Sequence, residues 1–213
     1  MNTYKNTILA IILLFFSCQS IINKSIKAAV VSARPEASDI GIEIMAKGGN
    51  AFDAMIATGL ALSVCYPNAG NIAGGGFLVY RTHKGEYGSL DYREKSPLLS
   101  SRDMYLDSVG NVIPDKSTLG GLAVGVPGTV AGFYEVHEKF GSLPWKDLVQ
   151  PSIDLANRGF KVTKKQKQSF DAKKNDFINV NGKNTFFGKN FEEGDMVINS
   201  NYAKTLELIQ KKG

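Results

Sequence analysis

The sequence predicts a mixed fold in which helices and strands alternate, of the α/β or α+β class. Three observations carry this. Helix-patterned and strand-patterned segments interleave along the chain. A hairpin pattern follows a glycine run. Several helical segments are punctuated by proline at the start and glycine just past the end. The 213 residues suffice for one large domain or part of a larger one, and a hydrophobic fraction of 43% excludes a disordered chain.

The chain opens with "MNTYKNTILAIILLFFSCQS". Lys5 is followed by an unbroken apolar run from Ile8 to Phe16 and then by Ser17-Cys18. A run of that length is too short to span a bilayer comfortably and has the form of an export signal, so residues 1–18 are predicted to direct the chain out of the cytoplasm. Cys18 directly after the run resembles the lipobox of bacterial lipoproteins, although Phe15 replaces the usual aliphatic residue. Two outcomes stay open: acylation at Cys18, which would attach the protein to a membrane, or cleavage somewhat downstream into the periplasm. One acyl chain anchors only marginally. Residues 19–27 are polar and are expected to be a tether.

From there the elements follow in order. "AAVVSA" (28–33) predicts a buried strand. "PEASDIGIEIMAKGGN" predicts a helix with acidic residues early and Lys47-Gly48-Gly49 at its end. A second helix over 51–65 has Asn50 as N-cap, Pro67 as its stop and an apolar face of Ala54, Ile56, Ala57, Leu60, Ala61 and Val64. Phe77–Thr82 and Tyr87–Arg93 form a hairpin about Lys84-Gly85. Ser100 to Asp103 suggests a short helical turn. Helices begin near Pro127 and Pro144 and end at Gly141 and Gly159, with Pro151 expected to kink or split the second. Residues 161–200 are Lys- and Asn-rich and predict one helix and a lobe of loops. The final segment is an amphipathic helix with Leu206, Ile209 and Tyr202 on one face.

Composition narrows the function. The net charge of +5 is spread among polar residues rather than interleaved with aromatics, which argues against a nucleic-acid partner. His83 and His137 are isolated and predicted to lie at the surface, so neither a metal site nor a cofactor site is expected. Cys65, in an apolar helix, reads as a small buried residue, and no disulfide framework is possible to infer from it. The run Gly74-Gly75-Gly76 sits between a helix and a strand, the reverse of the strand–glycine–helix order that cradles a dinucleotide phosphate, so nucleotide binding is not expected there. Close packing explains most of the run but not why three glycines are needed.

"LDYREKSP" is the polar stretch with the clearest chemistry. An arginine at a strand end beside a glycine-rich crossing suits carboxylate binding, because its planar fork makes two charge-assisted hydrogen bonds. From pattern alone, an ion pair of Arg93 with Asp91, with Glu94 or with a distant acid is the more common arrangement.

Four segments together, "GGNAFDAMIATGLALSV", "NAGNIAGGGFLVY", "DYREKSP…RDMYLD" and "VPGTVAGF…KFG", resemble the gamma-glutamyltranspeptidases, also called glutathione hydrolases. The similarity continues through "VQPSIDLANRGF" to "AKTLELIQKKG" and spans residues 28–213. It implies an N-terminal-nucleophile hydrolase with a four-layer αββα sandwich, an α+β fold, of which these residues are the N-terminal part of the large subunit. It implies a precursor that cleaves itself, a small subunit as partner, and glutathione and other gamma-glutamyl compounds as substrates, with no cofactor. It also implies that Arg93 holds the α-carboxylate of the glutamyl group. The glycine run is then placed beside the substrate pocket, with no ligand contact assigned. None of Thr58, Thr82, Thr118, Thr129, Thr163, Thr185 and Thr205 has the neighbours of the family's nucleophile. No catalytic residue is therefore assigned within the chain, and it is expected to be inactive alone. A non-catalytic gamma-glutamyl-binding lipoprotein and a related acylase are the alternatives.

Overall fold

The computed structural model describes residues 28–212. The export segment, Cys18 and the tether lie outside the described residues. The helices are α1 (Pro35–Ala46), α2 (Ala51–Cys65), α3 (Thr129–Phe140), α4 (Trp145–Arg158), α5 (Lys164–Asn181) and α6 (Ser200–Lys212). The strands are β1 (Phe77–Arg81), β2 (Tyr87–Asp91), β3 (Phe160–Lys161) and β4 (Met196–Val197), arranged as two antiparallel pairs.

Helix α2 is the centre of the packing, with α1, α3 and α4 against it and α6 against α4. The sequence predicts one apolar face for α2, but the helix is buried on nearly every side. Ile56, Leu60, Ala61 and Cys65 are inaccessible, and so is Asp53 in the first turn. An acid can sit there because its oxygens are engaged. Asp53 accepts from the Asn50 backbone N–H at 2.9 Å and from Ser142, through both its N–H and its hydroxyl. Asn50 in turn accepts from the N–H groups of Phe52 and Asp53, completing a capping box, and donates to the Phe140 carbonyl at 2.7 Å. One pair of side chains thus caps α2 and ties it to the end of α3.

The hairpin forms, with Phe77 opposite Asp91 and Arg81 opposite Tyr87, but its second strand ends at Asp91 rather than running to Arg93. Gly85 supplies the φ of +87° that the turn requires. Leu78, Tyr80 and Leu90 face the helices, and Tyr80 meets Phe52 edge-on at 5.6 Å. The opposite face presents Phe77, Val79 and Tyr87 to solvent.

Four expectations are corrected. Residues 28–33 form no strand and Val31 is exposed, because among the described residues no strand pairs with them. Ser100–Asp103 makes only turns, closed by the Met104 N–H to the Ser101 carbonyl, with no helix. Helix α4 runs unbroken through Pro151, which is buried against the core. His137 is half-buried rather than superficial, its ring 5.5 Å from that of Trp145. In the polar segment, α5 starts at a Thr163–Gln166 capping box, and a two-residue ladder joins Phe160 to Val197.

Candidate functional site

Strand β2 ends at Asp91, and the chain turns out of the ladder before Arg93. The Asp91 carboxylate accepts from the Arg93 backbone N–H at 2.9 Å, an Asx-type turn at the end of the strand. Strand alternation therefore fails here, and Arg93 and Glu94 meet instead of diverging. Arg93 Nε donates to Glu94 Oε2 at 3.1 Å, and the guanidinium carbon stands 5.6 Å from the centre of the Phe77 ring. Among the described residues, the two η nitrogens of Arg93 make no hydrogen bond. The ion pair anticipated from the pattern is thus real, yet it engages one edge of the fork and leaves the other open.

Arg93 lines a cleft of about 300 Å³ together with Asp91, Lys95, Pro127, Gly128 and Glu135. Its size suits a small ligand. The feet of the cleft are pinned by reciprocal hydrogen bonds between Lys95 and Val126, at 3.2 and 2.8 Å. A larger cleft, about 530 Å³, adjoins Arg34. That arginine is buried and committed: it pairs with Glu36 and donates to Gln166 and to the Lys161 carbonyl. It offers no open fork to a ligand.

Three segments distant in sequence meet at Arg93. The Tyr92 N–H donates to the Gly76 carbonyl at 3.0 Å. The Gly74 carbonyl accepts from the N–H groups of Gly128 and Thr129, at 2.7 and 3.0 Å, and so caps α3. Asn71 Oδ1 accepts from the Gly74 N–H at 2.9 Å and from the Thr129 hydroxyl at 2.6 Å. A helix N-terminus does therefore reach the glycine run, contrary to the expectation from local order, but it is met by a carbonyl and two of its donors are consumed.

The glycines serve space, not unusual torsion, since Gly74, Gly75, Gly76, Gly128 and Gly132 have no φ in the left-handed region. A methyl group on Gly75 would stand 2.5 Å from the Tyr92 carbonyl oxygen and 2.7 Å from Arg93 Cα. One on Gly128 would collide with the same carbonyl oxygen, and one on Gly132 with the base of the Tyr92 ring. Tyr92 also packs edge-on against Phe133 at 5.9 Å, and burial pushes its phenol pKa up. The sequence singled out Arg93 and the glycine run. It did not single out Tyr92, Asn71 or Thr129, although Gly128 and Gly132, four apart on one helix face, mark a surface open to close approach.

Residues 37–213 match the family model described as gamma-glutamyltranspeptidase. Over 188 residues the chain is 43% identical to the glutathione hydrolase proenzyme of Pseudomonas sp. (strain A14), covering 86% of this chain and 33% of that protein. The chain thus spans about a third of the length of the curated relatives it matches. It superposes on Helicobacter pylori gamma-glutamyltranspeptidase with a TM-score of 0.84 at 40% identity, over 86% of this chain and 54% of that one. A cephalosporin acylase from Bacillus halodurans superposes with a TM-score of 0.71 at 24% identity, over 92% of this chain and 39% of that one, which shows a shared fold alone.

Proposed function

The chain belongs to the gamma-glutamyltranspeptidase family, and from that premise we propose that it supplies the α-carboxylate clamp of an enzyme that cleaves the gamma-glutamyl amide of glutathione. The observation that carries the proposal is the half-open fork of Arg93. Glu94 and Phe77 hold one side of the guanidinium, and the η nitrogens are free to receive a carboxylate in two parallel hydrogen bonds. The mixed helix-and-sheet architecture is that of the family and its N-terminal-nucleophile relatives.

In the proposed reaction a threonine hydroxyl attacks the gamma-carbonyl of the bound substrate, its own α-amino group taking the proton. The amide C–N bond breaks, cysteinylglycine leaves with the proton, and a glutamyl ester remains. Water or the amine of an acceptor amino acid then takes the glutamyl group and restores the hydroxyl. The threonines of this sequence lack the neighbours of such a nucleophile, so it is sought in polypeptide outside the 213 residues, in the small subunit of the same precursor. The outward Phe77, Val79 and Tyr87 support a covering partner layer, because a strand apolar on both faces is ordinarily covered on both. The residues at 8–18 support export to the periplasm, with Cys18 the candidate for acylation. A mass measurement of the mature N-terminus decides between acylation and cleavage.

The test is hydrolysis of gamma-glutamyl-p-nitroanilide by the natural polypeptide that carries this sequence. Activity is expected, with Arg93→Ala raising KM far more than it lowers kcat. Full activity in Arg93→Ala at an unchanged KM would overturn the assignment.

A further inference from the structure

Four glycines and one aromatic residue surround Tyr92 and the peptide unit that follows it, and Tyr92 has no role in the reading above. Tyr92 precedes Arg93. Its ring occupies a slot in which Gly76 and Gly132 leave no room for a methyl group, and Phe133 closes the end. Its carbonyl lies between the backbones of Gly75 and Gly128, and its N–H is bonded to Gly76. No hydroxyl hydrogen bond of Tyr92 occurs among the described residues, so the ring acts by shape. Arg93 itself is more than half exposed and has only Glu94 and the face of Phe77 beside it. Nothing on the arginine side chain is rigid enough to hold the fork at one height above the cleft. The rigid part is the peptide unit behind it.

We propose that Tyr92 is a positioning residue: its ring, wedged between the glycine crossing and α3, fixes the Arg93 backbone and thereby aims the guanidinium at the ligand carboxylate. This rests on Arg93 as the carboxylate clamp. It explains Gly75 and Gly76 as the seat of a neighbouring backbone and side chain, with no contact to the ligand, while the space beside Gly74 is taken by Asn71. It also assigns α3 a second task, since Gly128 and Gly132 present the opposite wall one helical turn apart.

The test compares equilibrium binding of L-glutamate with that of its α-methyl ester to the natural polypeptide. The wild type is expected to prefer the free acid by roughly tenfold to a hundredfold, the worth of a charge-assisted pair. Arg93→Ala should bring the preference near one. Tyr92→Phe should keep it, because the ring remains. Tyr92→Leu should lose most of it while binding the ester as the wild type does, which a general loss of structure would not produce. If Tyr92→Leu keeps the wild-type preference, or weakens both ligands equally, the proposal falls and the Arg93 assignment stands. If Arg93→Ala keeps the preference, both fall. Should Tyr92→Leu fail to fold, Gly132→Ala displaces the base of the same ring and is measured in its place. Failure of both to fold would make Tyr92 a stability residue only and would overturn the proposal.

Discussion

Replacing Gly75 by alanine tests whether the crossing is as tight as the geometry requires. The added methyl would lie 2.5 Å from the Tyr92 carbonyl oxygen, 2.7 Å from Arg93 Cα and 2.8 Å from the Glu94 nitrogen. All three obstacles are main chain, so no rotamer change relieves them. One backbone must move away by about an ångström, and the Tyr92 N–H to Gly76 bond, at 3.0 Å, stretches with it. Overpacking costs about 1–3 kcal/mol, and a weakened hydrogen bond adds about 1 kcal/mol, so the sum is roughly 3 kcal/mol. That is a large part of a typical stability of about 5–15 kcal/mol. Urea denaturation reads it directly: with an m value of about 1–3 kcal/mol/M, the midpoint should fall by about 1 M or more. Gly121→Ala is the control. Gly121 has ordinary torsions and nothing within contact of an added methyl, so its midpoint should stay or rise slightly. A Gly75→Ala midpoint equal to that of the control would refute the close-approach reasoning.

Asp53→Ala leaves the Asn50 N–H and both Ser142 donors without their acceptor at the buried start of α2. The cost is about 2–4 kcal/mol, and a thermal melt should show it as a drop of about 4–16 °C. Arg93→Lys keeps the charge and loses the planar fork, so binding of L-glutamate measured by calorimetry should weaken about tenfold. Burial raises the Cys65 thiol and the Tyr202 phenol, each to about 12. Above the unfolded thiol's ordinary value the unfolded chain releases a proton that the folded chain retains. The loss of about 1.4 kcal/mol per pH unit therefore begins at about pH 8.5 for the thiol and only at about pH 10 for the phenol, and each continues as pH rises toward about 12. Melting temperatures across that range, compared with Cys65→Ala, should show a shallower alkaline loss in the variant.

Most of the helices were legible because their signals are local. Asn50, Pro144, Gly141 and Gly159 all stand where the chain starts or stops a helix. The hairpin was legible for the same reason, through Gly85 and the alternation on either side. The misassigned segments depend on partners. "AAVVSA" has the composition of a strand, but composition cannot supply a neighbour, and among the described residues none pairs with it. The ladder of Phe160 with Val197 was missed for the opposite reason: two residues carry too little pattern to be seen. Pro151 misled because the lost donor matters less to a helix whose inner face is held by Leu148, Ile153 and Leu155 in the core.

The site divides along the same line. Arg93 could be singled out because an arginine at a strand end is chemically conspicuous. The features that orient it could not, because they arise only where segments some twenty and fifty-five residues apart in the sequence cross. The glycine run shows why. A phosphate cradle needs glycines so that N–H groups can converge on an anion, whereas here the Gly74 carbonyl points into a helix terminus and the space left by the missing side chains is filled by Asn71, Tyr92 and the Arg93 backbone. The two uses have the same sequence signature and opposite polarity of the exposed peptide group. The order of helix and strand around the run decides against the phosphate. What takes its place is decided by "DYRE" and "VPGTVAG", and a single reading follows only when all three motifs are brought to one point.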